Sequence, residues 1–251
     1  MGLIRGLLKY FLSALFISSL FSFAILYSSN KSLDKDAFIS VVKASVKQEP
    51  AFAKAIDDMY NYSQIYFFYL NRTEDISFPN TGDGFAAGLK ITKQDAGLGR
   101  EQFADALIAK MASGVYNMEL DTPFGKLSLG KVNGIIYKFS MLFLILAAAL
   151  LAVMLLLFSS FVLTGMDFLL VAVFYFPIKF VFSNILGKMA PAEALSGLAN
   201  SIFLNLYSAF AKIFFCYFII GLGLIIFGII FKLLKIGQRL RSRFGKKKAE
   251  G

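Results

Sequence analysis

FSMLFLILAAALLAVMLLLFSSFVLTGMDFLLVAVFYFPI, residues Phe139–Ile178, is a forty-residue stretch with a single charge, Asp167. As one straight helix it would be about 60 Å long, twice the roughly 30 Å apolar core of a bilayer. It is therefore read as two membrane helices folded back on each other. The second span is expected at 139–162 and the third at 167–184. Ser159, Ser160, Thr164, Gly165 and Asp167 are the turn-forming residues between them, so the turn is expected over Ser159–Met166. Pro177 lies in the third span, where it removes a backbone donor and crowds the carbonyl of Val173, so a kink is expected there.

The rest of the chain agrees with a membrane protein. It has 251 residues, 57% of them hydrophobic, with a mean hydropathy of +0.67, too apolar for a soluble domain. Residues 1–29 carry Arg5 and Lys9, then an apolar run from Tyr10 to Tyr27. This run is long enough to anchor the chain. The rival reading is a cleaved signal peptide with a small-x-small site at Ser22–Ala24. Ile213–Phe231, 19 residues between Lys212 and Lys232, is the fourth span.

Residues 30–137 form the one sizeable polar region, with 12 basic and 13 acidic residues over 29–137. Phe38, Val41, Val42 and Val46 mark one helix face behind a cap at Asp34. Pro50 suits the first turn of a second helix carrying Phe52, Ile56, Met59, Tyr60, Tyr66, Phe67 and Leu70. Asn71–Gly84 reads as a loop with a short strand at Ile76–Phe78, and Gly88–Thr92 reads as another strand. Arg100–Ser113 returns to helix. Val115–Leu120 and Lys126–Leu129 flank a Pro/Gly turn and read as a hairpin. The fold class is thus integral membrane and mainly α: four transmembrane helices with a small, mostly helical α+β domain between the first two.

Orientation follows from the short flanks. Eight basic residues and one acid lie between Lys232 and Gly251, and Arg5 and Lys9 lead the first span. The positive-inside rule then puts both termini in the cytoplasm of a cell-membrane protein, with the polar domain extracytoplasmic. The sequons at Asn30, Asn61 and Asn71 all fall in that domain. Asn61 and Asn71 are the sites of possible glycosylation, whereas Asn30 lies close to the membrane.

Few residues suggest chemistry. The chain has no His and one Cys, Cys216, which excludes an intrachain disulfide and a Cys/His metal site. No cofactor is expected. Asp167 reads as the cap of the third span; its rival role is an ion or proton site. Gly165-Met166-Asp167 lacks the second glycine of an intramembrane aspartyl protease, and no other acid lies in a span. Lys179 is expected to snorkel to the outer surface or to line a polar cavity with the Pro177 kink. Gly221 and Gly228 share a helix face and suggest close packing, within the chain or between copies. Cys216 is expected to be a small buried residue.

Lys232, Lys235, Arg239, Arg243 and Lys246 form a stripe beside Leu233, Ile236, Leu240 and Phe244. Residues 235–251 therefore read as a basic amphipathic tail docking on anionic inner-leaflet lipids rather than on nucleic acid. The expected partners are the bilayer and another membrane or extracytoplasmic protein. The expected function is a non-enzymatic anchor or assembly protein. A transporter or channel subunit using Pro177 and Lys179 is the alternative, and a membrane enzyme comes third.

Overall fold

The computed structural model describes residues 2–47, 49–77, 89–123, 125–158, 160–188 and 193–247. It is mainly helical. Four helical stretches are long and apolar enough to cross a membrane: Ile4–Ser32, Leu129–Leu156, Phe161–Val181 and Leu204–Ile236. A small helical and β region lies between the first two. The elements are α1 (Gly2–Ser32), α2 (Lys35–Lys47), α3 (Pro50–Gln64), a π-helical turn (Ile65–Tyr69), β1 (Ile76–Ser77), β2 (Lys90–Ile91), α4 (Lys93–Ala96) and α5 (Arg100–Asn117). Then follow β3 (Leu120–Thr122), β4 (Gly125–Leu127), α6 (Leu129–Phe158), α7 (Phe161–Val173), α8 (Tyr175–Lys188) and α9 (Glu193–Lys247).

The chain divides into two compact units. The first holds 1–28, 137–184 and 207–251. Within it, Phe16 meets Phe168 and Phe21 meets Phe174, so α1 and α7 run parallel. Phe168 meets Tyr217, while Phe161 meets Phe227 and Phe231, so α9 runs antiparallel to α7. Buried Phe16, Leu20, Met154, Val171 and Phe214 form the inside of this unit.

The second unit holds 29–136 and 185–206. Its core is Phe38, Val42, Ile56, Phe67, Ile91, Phe103, Leu107, Ile108 and Tyr116. Most lie on the apolar faces of α2, α3 and α5, set by three- and four-residue spacing, with Phe67 added from the π-turn and Ile91 from β2. Pro50 opens α3, where its missing N–H costs nothing. Thr92 and Asp95 form a capping box on α4. A chain of polar contacts joins the ends of several helices. Tyr116 Oη donates to the Leu33 carbonyl at 3.0 Å, and Asn133 Nδ2 donates to Tyr116 Oη at 3.4 Å. Asn30 Nδ2 donates to Asn133 Oδ1 at 2.8 Å.

Several sequence expectations need correction. The break between the second and third spans is shorter than Ser159–Met166, because Phe161 already begins α7 and Ser160 precedes it. Thr164, Gly165 and Asp167 are helical and buried there. Helix α5 extends past Ser113 to Asn117, since Tyr116 continues its buried face. The hairpin is therefore shorter than expected, pairing Leu120 with Leu127, Asp121 with Lys126 and Thr122 with Gly125. The expected polar connection at Ser183–Gly197 is largely helix, the end of α8 and the start of α9. Helix α6 begins at Leu129, ten residues before the apolar run. Phe78, Pro79, Gly82, Gly84 and Gly88 of the expected loop and strands lie outside the described residues, as do Phe124, Ser159 and Pro191.

Three carboxylates link the polar unit to pH. Arg100 hydrogen-bonds Asp57 and holds its carboxyl below the ordinary value. Lys47 bonds Asp105 at 2.8 Å, and with Lys43 lowers it against the cost of burial. Burial raises Asp95, but Lys110 at 2.5 Å and the Thr92 amide and hydroxyl outweigh it, so the net shift is downward. A carboxyl lowered in the folded state stabilises above its unfolded pKa, about 4. That contribution is lost as pH falls from there through the folded values. The full chain in micelles should therefore show faster amide exchange in α3 and α5 at pH 3 than at pH 6, after correction for intrinsic rates. Equal protection at both pH values would contradict the assignment.

Candidate functional site

Three places in the fold carry features beyond packing. The first is inside the helical bundle. Ser13 on α1 donates its hydroxyl to Asp167 Oδ1 on α7 at 2.6 Å, across 154 residues of chain. Asp167 is 6% exposed, and its Oδ2 is buried without a hydrogen-bond partner. Thr164 is buried one turn earlier, its hydroxyl turned back to the Ser160 carbonyl at 3.2 Å. Asp167 therefore does not cap the third span. It is the seventh residue of α7, and its carboxyl joins two helices.

Glycines set the spacing of α7 against α9. A Cβ on Gly165 would lie 2.6 Å from the Gly221 carbonyl oxygen and 2.7 Å from Ile225 Cγ1. A Cβ on Gly221 would lie 2.8 Å from the Gly165 oxygen, and one on Gly228 would lie 2.8 Å from Val162 Cγ2. Gly221 and Gly228 thus face α7 of the same chain, whereas Gly223 has open space around it. Gly165 was read from the sequence only as a turn residue. Its spacing from Asp167 gave no signal that α9 touches it. Cys216 is exposed rather than buried.

The second place is a cleft of about 540 Å³ lined by Ala172, Val173, Tyr175, Phe176, Ala211, Lys212, Phe214, Phe215 and Phe218. It sits where α7 gives way to α8 at Phe174. Pro177 follows three residues later, and its ring cannot donate to the Val173 carbonyl. Tyr175 and Tyr207 share a hydrogen bond between their hydroxyls beside the cleft. Lys179 is exposed, one turn beyond Tyr175 on α8. Lys212, read from the sequence as a border of the fourth span, lines the cleft itself.

The third place is on the polar unit. The helix begun at Pro50 widens into a π-turn at Ile65–Tyr69, closed by Leu70 N–H donating to the Ile65 carbonyl at 2.8 Å. Such turns occur often at functional sites. Phe67 points inward and is 0% exposed, while Tyr69 is 85% exposed. Tyr62, Ile65, Phe68 and Leu70 are exposed with it. Lys93 Nζ stands 5.9 Å from the centre of the Phe68 ring. Asn71 ends the segment at a φ of 48°, a left-handed value that asparagine tolerates.

The remaining sequence candidates are placed as follows. Asn61 and Asn71 are exposed, while the Asn30 amide is engaged by Asn133. Lys232 and Lys235 are exposed on α9. The side chains of Arg239, Arg243 and Lys246 lie outside the described residues. Their backbone continues α9 beyond the fourth span, so the tail is no separate helix. Among the described residues no three acidic, Cys or His side chains converge as a metal site.

No family model, curated protein or solved structure matches the chain.

Proposed function

We propose that this chain is a non-enzymatic anchor or assembly protein of the cell membrane that presents an extracytoplasmic interaction domain. The carrying observation is the exposed aromatic ridge of Tyr62, Ile65, Phe68, Tyr69 and Leu70. An apolar ridge on a unit that already has its own core suits a protein partner. Four membrane helices hold the domain at the bilayer, with both termini cytoplasmic because the basic flanks favour that side. The tail stripe from Lys232 to Lys246 then meets anionic inner-leaflet lipids. Asn61 and Asn71 are the two exposed sequons on the outer side.

Two measurements test this reading. A cysteine introduced at Asn61 should react with an impermeant reagent from outside intact cells, and one at Ser242 should not; the reverse pattern overturns the orientation. A photocrosslinker at Tyr62 should trap a discrete protein in cells. Tyr69→Ala should weaken that trapping by about tenfold or more, as for a central aromatic anchor. Trapping unchanged by Tyr69→Ala would remove the ridge from the function.

A transporter or channel subunit is the second reading. The observation in its favour is the Asp167 carboxyl, buried in the bundle with one oxygen unpartnered. Ionisable groups inside membrane helices commonly serve ion or proton pathways. Conductance or flux in liposomes that Asp167→Asn abolishes would favour this reading over the first.

A further inference from the structure

The cleft at the α7–α8 break is almost wholly apolar, yet one of its lining residues is a lysine. Its volume, about 540 Å³, falls within the roughly 300–1,000 Å³ range of small-molecule sites. Its position on α9 can be followed residue by residue. Lys212 lines one end and Phe218 the other, about 9 Å apart along the helix at 1.5 Å per residue. Ala211, Phe214 and Phe215 lie between. The opposite wall is Ala172, Val173, Tyr175 and Phe176, where the helix is interrupted. The result is a trough with a cation at one end and aromatic rings along its length.

Lys212, which lines the cleft, and Lys179, on α8 beyond it, both belong to apolar stretches. Lys212 lies within Leu204–Ile236 and Lys179 within Phe161–Val181. Among the described residues, no carboxylate forms an ion pair with either. Both stand toward the ends of these apolar stretches, where an ammonium attracts anionic groups at the membrane surface. The antiparallel packing brings Tyr175 beside Tyr207 and Phe214. This sets Lys212 close to the level of Tyr175 and Lys179 about one turn nearer the end of its span.

We propose that this cleft binds one acyl chain of an anionic membrane lipid, with the headgroup phosphate held by Lys212. The apolar walls take the chain, which needs no polar partner. The phosphate supplies a counter-charge that no carboxylate among the described residues gives. Basic pockets between membrane helices recognise lipid headgroups in this way. A zwitterionic lipid fills the same trough but brings its own cation to the phosphate, so it gains less from Lys212. The inference rests on the membrane placement of the four helices and not on any protein partner.

The test uses the full chain purified in mild detergent and supplied with equimolar phosphatidylglycerol and phosphatidylcholine of identical chains. Native mass spectrometry reads the retained lipid. The expected result is retention of one phosphatidylglycerol in preference to phosphatidylcholine by about fivefold, the effect of one lysine near a phosphate. Lys212→Gln should bring the ratio close to one while a lipid is still retained. Ala211→Trp, which fills the trough, should lose both lipids. Circular dichroism melts confirm that each variant is folded. Equal retention of the two lipids by the wild type, or an undiminished preference in folded Lys212→Gln, overturns the proposal. So does a second protein chain protecting the cleft in place of lipid. Each of these results leaves the orientation and ridge experiments untouched.

Discussion

Gly165→Leu should lower the thermal stability of the full chain in micelles more than any surface change. The new Cβ would stand 2.6 Å from a backbone oxygen of α9 and 2.7 Å from Ile225. A backbone atom cannot swing aside as a side-chain end can, so α7 and α9 have to move apart. Overpacking of this kind costs about 1–3 kcal/mol, occasionally more. Separation also removes the close helix approach that small residues permit in membranes. Gly223→Ala is the matching control. No atom lies within 4 Å of its added methyl, and alanine is about 1 kcal/mol better than glycine within a helix. Its melting temperature should match or exceed the wild type. A Gly165→Leu protein that melts with the wild type would mean that the two helices are not in contact.

Phe67→Ala should have an effect of comparable size in the polar unit. Its ring is fully buried among the apolar faces of α2, α3 and α5. Removing such a ring costs about 3–5 kcal/mol, because the transfer energy is lost and a cavity remains. Hydrogen exchange should accelerate throughout α3 and α5. Tyr69→Ala, two residues away but 85% exposed, should leave exchange close to wild type. Equal effects from the two substitutions would show that the π-turn does not hold Phe67 in and Tyr69 out.

The same pair shows how far sequence pattern reached into the site. Spacing alone put Ile56, Met59 and Phe67 on a common inward face, and it identified that helix correctly. It also placed Leu70 on the inward face, but Leu70 is exposed. The reason is that the helix widens into a π-turn and ends there, with Leu70 as its C-cap. A 3.6-residue period carries no mark of where one extra residue is inserted. Asp167 was misjudged for a different reason. Ser, Thr and Gly near it suggested a turn, but in a membrane bundle such residues also suit close helix contacts. The partner that decided between the two, Ser13, is 154 residues away.

Length and hydropathy by themselves determined the membrane-spanning class, the four apolar helices and the position of the polar region between the first two. These are local quantities: a helix crosses a bilayer by virtue of its own length and apolarity. The helical periodicity of α2, α3 and α5 was legible as well, because one side of each faces water. Only the tertiary structure paired Gly165 with Gly221, brought Ser13 to Asp167 and opened a cleft beside Lys212. In a membrane helix both the lipid-facing and the protein-facing sides are apolar, so hydropathy does not separate them. Which side meets a neighbour is decided by shape and by scattered polar groups, and those become visible when the helices are packed. Phe139–Ile178 was recognisable at once as two apolar helices rather than one. That its second half holds a buried carboxyl at one end and borders an apolar cleft at the other followed from what α1 and α9 place against it.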